Sequence, residues 1–142
     1  MVDIRPAAVT DAVVLSELWT RAGLDHRAGD VARELASVLS RDPGLVLIAL
    51  DDRGVVGSVF GAYDGRRGWV NRLATHPDAR GEGIAGALLA ALEQALAARG
   101  CRKLNLLIEP TNAGVVTFYQ RHGYRVDELV FMEKYLADPA AG

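Results

Sequence analysis

The chain has 142 residues, 50% of them hydrophobic and 24% charged, with a formal net charge of −2 and a pI near 5.9. That length suits one domain, and that balance fits a soluble globular protein rather than a nucleic-acid binder, which needs a basic stripe. A single cysteine, Cys101, excludes an intrachain disulfide framework and a CxxC zinc pair.

At the start, Asp3 and Arg5 stand where a signal peptide needs an apolar core. VDIR (2–5) alternates and ends at Pro6, which reads as a first strand. Thr10 is placed to cap a helix in which Val14, Leu15, Leu18 and Trp19 recur at helical spacing, and Gly23 ends it. A second helix starts near Asp30, with Val31, Leu35, Val38 and Leu39 on one face; Asp42, Pro43 and Gly44 stop it. LVLIAL (45–50) is a buried strand, and no apolar run is longer. It is far too short for a bilayer, which takes about 20 residues. No membrane span and a cytoplasmic location are therefore expected.

DDRG (51–54) turns the chain, VVGSVFGAY (55–63) returns as a partner strand, and DGRRG (64–68) carries an Asp-Gly hairpin signal. WVNRLAT (69–75) is the third strand of this meander. HPDAR links it to RGEGIAG and to a strong helix over 83–99, with Ile84, Leu88, Leu92 and Ala95 on its apolar stripe and Gly100 at its stop. KLNLLIE (103–109) reads as a strand with Leu107 and Glu109 on one face. Asn112 is placed to cap a last helix over 113–122, and YRVDELVFMEKYL (124–136) gives one or two closing strands. The order β α α β β β α β α β β predicts a mixed sheet with helices on it, an α+β (mixed α/β) class. One domain over 1–136 and a loose tail over 137–142 are expected.

The glycine stretch carries the chemistry. A strand followed by glycines and a helix start makes an anion site, because first-turn N–H groups are unpaired and the helix dipole adds positive charge. GEGIAG (81–86) also spells the dinucleotide fingerprint G-x-G-x-x-G. That reading needs the glycines directly after the strand and further βα units behind them. Here HPDAR intervenes, and the residues after Glu109 hold one helix and hairpin-like strands.

A second frame fits better: Arg80, Gly83 and Ala85 as R-x-x-G-x-A, within LATHPDARGEGIAGALL. This stretch resembles motif A of the GNAT (GCN5-related N-acetyltransferase) superfamily, with Thr75 where Val is usual. TNAGVVTFYQRHGY resembles motif B through Asn112, Phe118, Tyr119, Gly123 and Tyr124. The hairpin GAYDGRRG is similar to a segment of small bacterial YpeA-like acetyltransferases.

The resemblance implies a GNAT fold and acetyl-CoA as acetyl donor. It assigns the pyrophosphate to the backbone of Arg80, Gly81, Glu82, Gly83, Ile84, Ala85 and Gly86. It assigns the pantetheine arm to the main chain of Leu73, Ala74 and Thr75, in a gap where this strand splays from the next. Asn112, Phe118 and Tyr119 approach from motif B. An amine attacks the thioester directly, a main-chain N–H of the splayed strand receives the oxyanion, and Tyr119 hydrogen-bonds the leaving thiolate. A lysine amine costs about 4–5 kcal/mol to deprotonate at pH 7, an α-amine only about 1–1.4. The family's usual Glu is replaced by Leu107, which leaves Glu109 as the candidate base, acting through water. Tyr63, Asp64, Trp69 and Asn71 are the candidate acceptor-side residues, with Trp69 and Asn71 on the face of Leu73.

The expected acceptor is a small-molecule or peptide amine, with no nucleic acid, membrane or metal. Homodimers are frequent in the superfamily, so a dimer stands beside a monomer. Leu107 keeps a second reading open: a non-catalytic acetyl-CoA-binding sensor on the same fold.

Overall fold

The computed structural model describes residues 2–138, so the 139–142 part of the expected tail lies outside the described residues. The chain divides into two compact units, Met1–Leu107 and Ile108–Gly142.

The first unit is built on five strands: β1 (Asp3–Pro6), β2 (Val46–Asp51), β3 (Gly54–Tyr63), β4 (Gly68–Thr75) and β5 (Leu104–Asn105). Their spatial order is β1-β2-β3-β4-β5. The first four pair antiparallel through the turns read from DDRG and DGRRG; β5 alone runs parallel to its neighbour, β4. A doubly wound dinucleotide fold needs a mostly parallel sheet, so this topology removes that reading of the glycines.

Two helices follow β1. α1 (Ala12–Ala22) begins at Asp11 rather than Thr10. The Asp11 carboxylate accepts the Ala8 N–H at 2.7 Å and the Arg5 guanidinium at 3.1 and 3.2 Å, which ties the helix entry to the end of β1. Thr10 lies inside the preceding 3-10 turn. Gly23 closes α1 in the left-handed region, at φ 78°. α2 (Val31–Arg41) stops at Asp42, before Pro43. Leu15, Leu18 and Trp19 of α1 and Val31 and Leu35 of α2 form one core with Val46, Ile48, Phe60 and Ala74.

The other face of the sheet carries α3 (Ile84–Ala98), which buries Ile84, Leu88, Leu89, Leu92 and Leu96. Two glycines of β3 let it come close. A Cβ on Gly57 would stand 2.8 Å from the Leu88 Cδ1 atom and 2.9 Å from the Ile84 Cγ2 atom. A Cβ on Gly61 would collide with the Leu92 Cδ1 atom and lie 3.2 Å from the Leu45 carbonyl oxygen. α3 packs against β3 and β4. Gly57 is itself the register partner of Thr75, so the contact with Ile84 fixes the start of α3 against the end of β4.

Two expected elements differ from the sequence reading. The strand over 103–109 pairs only at Leu104 and Asn105. No strand forms over 124–136; Val126, Leu129, Val130, Phe131 and Met132 are exposed there. Alternation supplies an apolar face but not the ladder partner a strand needs. In the second unit α4 (Val115–Arg121) follows a 3-10 turn, Pro110–Asn112. Its N-cap is Gly114, so Asn112 is not the helix cap that its position suggested.

Candidate functional site

The glycine turn grows out of β4. After Thr75, the His76 Nδ1 atom accepts the Asp78 N–H at 3.1 Å and opens a short 3-10 turn, Pro77–Ala79. Ala79 is buried and anchors it, while Arg80, Gly81, Glu82 and Gly83 are exposed. Gly81 and Gly83 have φ of 81° and 79°, and no atom lies within 4 Å of a Cβ built on either. They are therefore required for backbone conformation, since a left-handed residue with a Cβ costs roughly 1–2 kcal/mol. The open space beside them is what a phosphate needs. Gly83 is the N-cap of α3 and contributes no side-chain cap, so the first N–H groups of a 15-residue helix stay available for an anion. Ile84 is buried under the turn; Ala85 and Gly86 lie half-buried in the first helical turn.

A carboxylate in this turn would repel a pyrophosphate, and Glu82 is such a carboxylate. Arg53, from the β2–β3 turn, answers it. Its guanidinium donates to Glu82 Oε1 at 2.7 Å and Oε2 at 3.1 Å, to the Asp78 carbonyl at 3.1 Å and to Asp51. The Arg53 hydrogen bond holds the Glu82 carboxyl below its usual range. Nothing in the sequence pattern marks Arg53 as a partner of this turn.

β4 is irregular on both edges. On one side it pairs with β5 only at Gly68–Leu104 and Trp69–Asn105, so the strand beyond Trp69 has no strand neighbour there among the described residues. This is the splay expected from the resemblance. On the other side the register runs from Asn71↔Phe60 to Ala74↔Ser58, so that Arg72 and Leu73 together face Val59. Two residues against one is a β-bulge, which leaves a residue out of the ladder. Arg72 sits there at φ 54°, the only non-glycine with positive φ among the described residues. The bulge reverses the alternation. Ala74, not Leu73, continues the face of Trp69 and Asn71, and the expectation that Leu73 shares that face is corrected.

A left-handed arginine is strained by about 1–3 kcal/mol and persists only where its surroundings hold it. Arg72 donates to Glu34 of α2 at 2.9 and 2.7 Å and to the Asp25 carbonyl at 2.8 Å. Its guanidinium lies 4.6 Å from the Trp19 ring centroid. Its carbonyl accepts the Ser58 hydroxyl at 2.8 Å, and the Ser58 oxygen accepts the Trp19 indole N–H at 2.9 Å. Trp19 and Ser58 are completely buried. None of these five residues is singled out by the motifs. The available signal was the single charged residue of β4.

The expected acceptor-side residues separate into two groups. Asp64 accepts the N–H groups of Arg67 and Arg66, each at 2.7 Å, and these bonds hold its carboxyl below the usual range. Tyr63 donates its hydroxyl to the Gly65 carbonyl at 3.1 Å. Both are engaged within their own hairpin. Trp69 is half-buried and Asn71 is exposed on the strand.

In the second unit Tyr119 is buried on α4, edge-to-face with Phe118 at 5.2 Å and with Tyr124 at 5.5 Å. Burial pushes its phenol up to about 12. Glu109 and Asn112 are exposed, and the Glu109 carbonyl accepts the Asn112 N–H at 2.8 Å. Leu107 is also exposed. Regular pairing ends at Asn105, so the ladder does not extend to Leu107 or Glu109. Among the described residues no three His, Cys, Asp or Glu side chains form a metal cluster, and no helix is long and apolar enough to cross a membrane.

Comparison with known proteins agrees with this layout. Residues 12–124 match the model of the acetyltransferase (GNAT) family, a span that runs through both units. An acetyltransferase of Yersinia enterocolitica is 37% identical over 134 residues, 94% of this chain and 95% of that protein. A crystal structure described as a predicted acetyltransferase with acetyl-CoA, from Clostridium acetobutylicum, superposes with a TM-score of 0.71 at 20% identity, covering 94% of this chain and 96% of that one. The structure of AAC(6')-Iy with the bisubstrate analogue CoA-S-monomethyl-acetylneamine gives 0.78 at 19% identity, covering 95% and 99%. With the open glycine turn, the splayed strand and a family match spanning most of its length, the chain is an acetyltransferase domain and belongs to the GNAT family.

Proposed function

We propose that the protein transfers the acetyl group of acetyl-CoA directly to the amine of a small-molecule or peptide acceptor. The observation that carries this reading is the exposed turn at Gly81 and Gly83, open above an uncapped α3 N-terminus and directly downstream of the β4 edge that lacks a strand partner. Acetyl-CoA is the donor and supplies an activated thioester. The backbone of 80–86 holds its pyrophosphate, and the outer edge of Leu73, Ala74 and Thr75 pairs with its pantetheine amides as a strand would. The solved neighbours that hold acetyl-CoA or a CoA bisubstrate analogue support the choice of acetyl-CoA as donor.

Tyr119 acts as a hydrogen-bond donor to the departing sulfur. Burial raises the phenol further above a thiol, whose free pKa is about 8.5, so full proton transfer to the thiolate is uphill. The phenol therefore keeps its proton through the chemical step. The sign of the shift also sets the pH range. A raised phenol pKa preserves the donor as pH rises through 10 and surrenders it only near 12. Deprotonation of the acceptor amine then governs the rising limb of the rate profile. Glu109 is the nearest sequence candidate for a base acting through water.

The test is calorimetric titration with acetyl-CoA, with NAD in parallel, followed by acetyl transfer to an amine panel. Acetyl-CoA heat without NAD heat supports the reading, and the reverse overturns it. A Tyr119→Phe protein is expected to bind acetyl-CoA normally while kcat falls about a hundred-fold. Its parent should show no downturn in rate near pH 10. Acetyl-CoA binding without transfer to any amine would favour the sensor reading.

A further inference from the structure

The strain at Arg72 and the number of groups holding it call for a functional reason. The bulge lies where β4 has left β5 and immediately before the segment assigned to acetyl-CoA. Nothing local demands this conformation, because arginine has no preference for positive φ. The guanidinium is instead held from three directions. Glu34 of α2 takes two of its N–H groups, the Asp25 carbonyl in the α1–α2 connection takes a third, and Trp19 of α1 stacks beneath it. The main chain of the same residue is held by Ser58 on β3. Arg72 thus joins the α1–α2 connection to the strand edge, and its backbone is where the ladder is broken.

We propose that Arg72 is a positioning residue for acetyl transfer: clamped by Glu34, the Asp25 carbonyl and Trp19, it holds the β4 bulge and so aims the freed main chain of β4 at the thioester. This rests on the reading of β4 as the acetyl-CoA strand. The clamp does not touch the glycine turn, so it sets the alignment of the reacting group and not the grip on the pyrophosphate. The bulge keeps its geometry only while α2 supplies Glu34, which makes the packing of α2 part of the catalytic geometry.

The test uses acetyl-CoA with hydroxylamine, a small neutral amine that presupposes no acceptor pocket, and follows CoA release above the enzyme-free rate. Arg72→Ala, Glu34→Ala and the double variant are compared with the parent. In Arg72→Ala, kcat should fall between about ten- and a hundred-fold, the cost of misaligned reacting groups, while KM for acetyl-CoA stays within about two-fold. The double variant should match Arg72→Ala to within about two-fold, because the pair acts as one unit. Calorimetric CoA titration, with parental stoichiometry and affinity, separates this loss from a smaller folded fraction. If Arg72→Ala fails to fold, Glu34→Gln keeps the arginine and should still lower kcat about three-fold with KM unchanged. An unchanged kcat in these variants, or a KM that rises in step with the loss, overturns the proposal while leaving acetyl-CoA use intact. A parent protein that binds no acetyl-CoA, or gives no CoA release above background, overturns both.

Discussion

The glycine turn and the β4 bulge are neighbours in the chain and both depend on positive φ, yet they reach it by opposite routes. At Gly81 and Gly83 the conformation is local: the residues have no Cβ to clash, and nothing crowds them. At Arg72 the conformation is imposed by Glu34, Trp19 and Ser58, which lie 38, 53 and 14 positions away in the chain. A site built from local preference can be read from a few letters. A site built from distant clamps becomes visible only when the helices are in place.

The comparison can be broken at either end. The largest effect is expected at Gly83. Valine there must adopt a left-handed backbone and sets a branched side chain against the anion, so acetyl-CoA affinity should fall about a hundred-fold with about 1–2 kcal/mol of stability. Asparagine, which visits that region, should lose much less. Calorimetry and urea unfolding measure the two parts. Equal losses for Val and Asn would show that the turn is not governed by local conformation.

Ser58 tests the clamped end. Its hydroxyl is buried between the Trp19 indole and the Arg72 carbonyl, so Ser58→Ala leaves one donor and one acceptor without it. Stability should fall by about 1–3 kcal/mol in urea unfolding. A neutral result would mean that the bulge does not need its tertiary support.

The smallest effect is expected at the Arg53–Glu82 pair, which bridges the two kinds of control by bringing a distant arginine to a locally determined turn. Glu82→Gln removes a negative charge beside the proposed pyrophosphate site and leaves Arg53 in place. KM for acetyl-CoA should drop about two-fold at low salt, and the gain should fade as salt screens exposed charges. A rise in KM would show that the pair shapes the turn and that its electrostatics are secondary.

Much of the fold is legible in the chain. The periodicity of Leu15, Leu18 and Trp19, the stop at Gly23, the Asp-Pro-Gly after α2 and the hairpin signals place α1, α2 and the β2–β3–β4 meander within a residue or two. These signals are short-range and describe one element each. The reading weakened where an element depends on a partner. KLNLLIE has the alternation of a seven-residue strand, but β4 offers it neighbours only at Gly68 and Trp69. YRVDELVFMEKYL has apolar residues and no strand beside it among the described residues. Asp11, not Thr10, stands at the α1 N-cap, and its carboxylate bonds back to Arg5 and the Ala8 N–H, not to the first turn of the helix.

By itself the sequence determined the α+β class, the GNAT family and the glycine turn, because each rests on residue types at fixed spacing and on backbone preferences that glycine carries wherever it goes. Only the tertiary structure decided that β4 bulges at Arg72, that Leu73 turns away from the face of Trp69 and that Glu82 is paired. Those outcomes belong to contacts between segments far apart in the chain, and a contact has no signature in either segment alone.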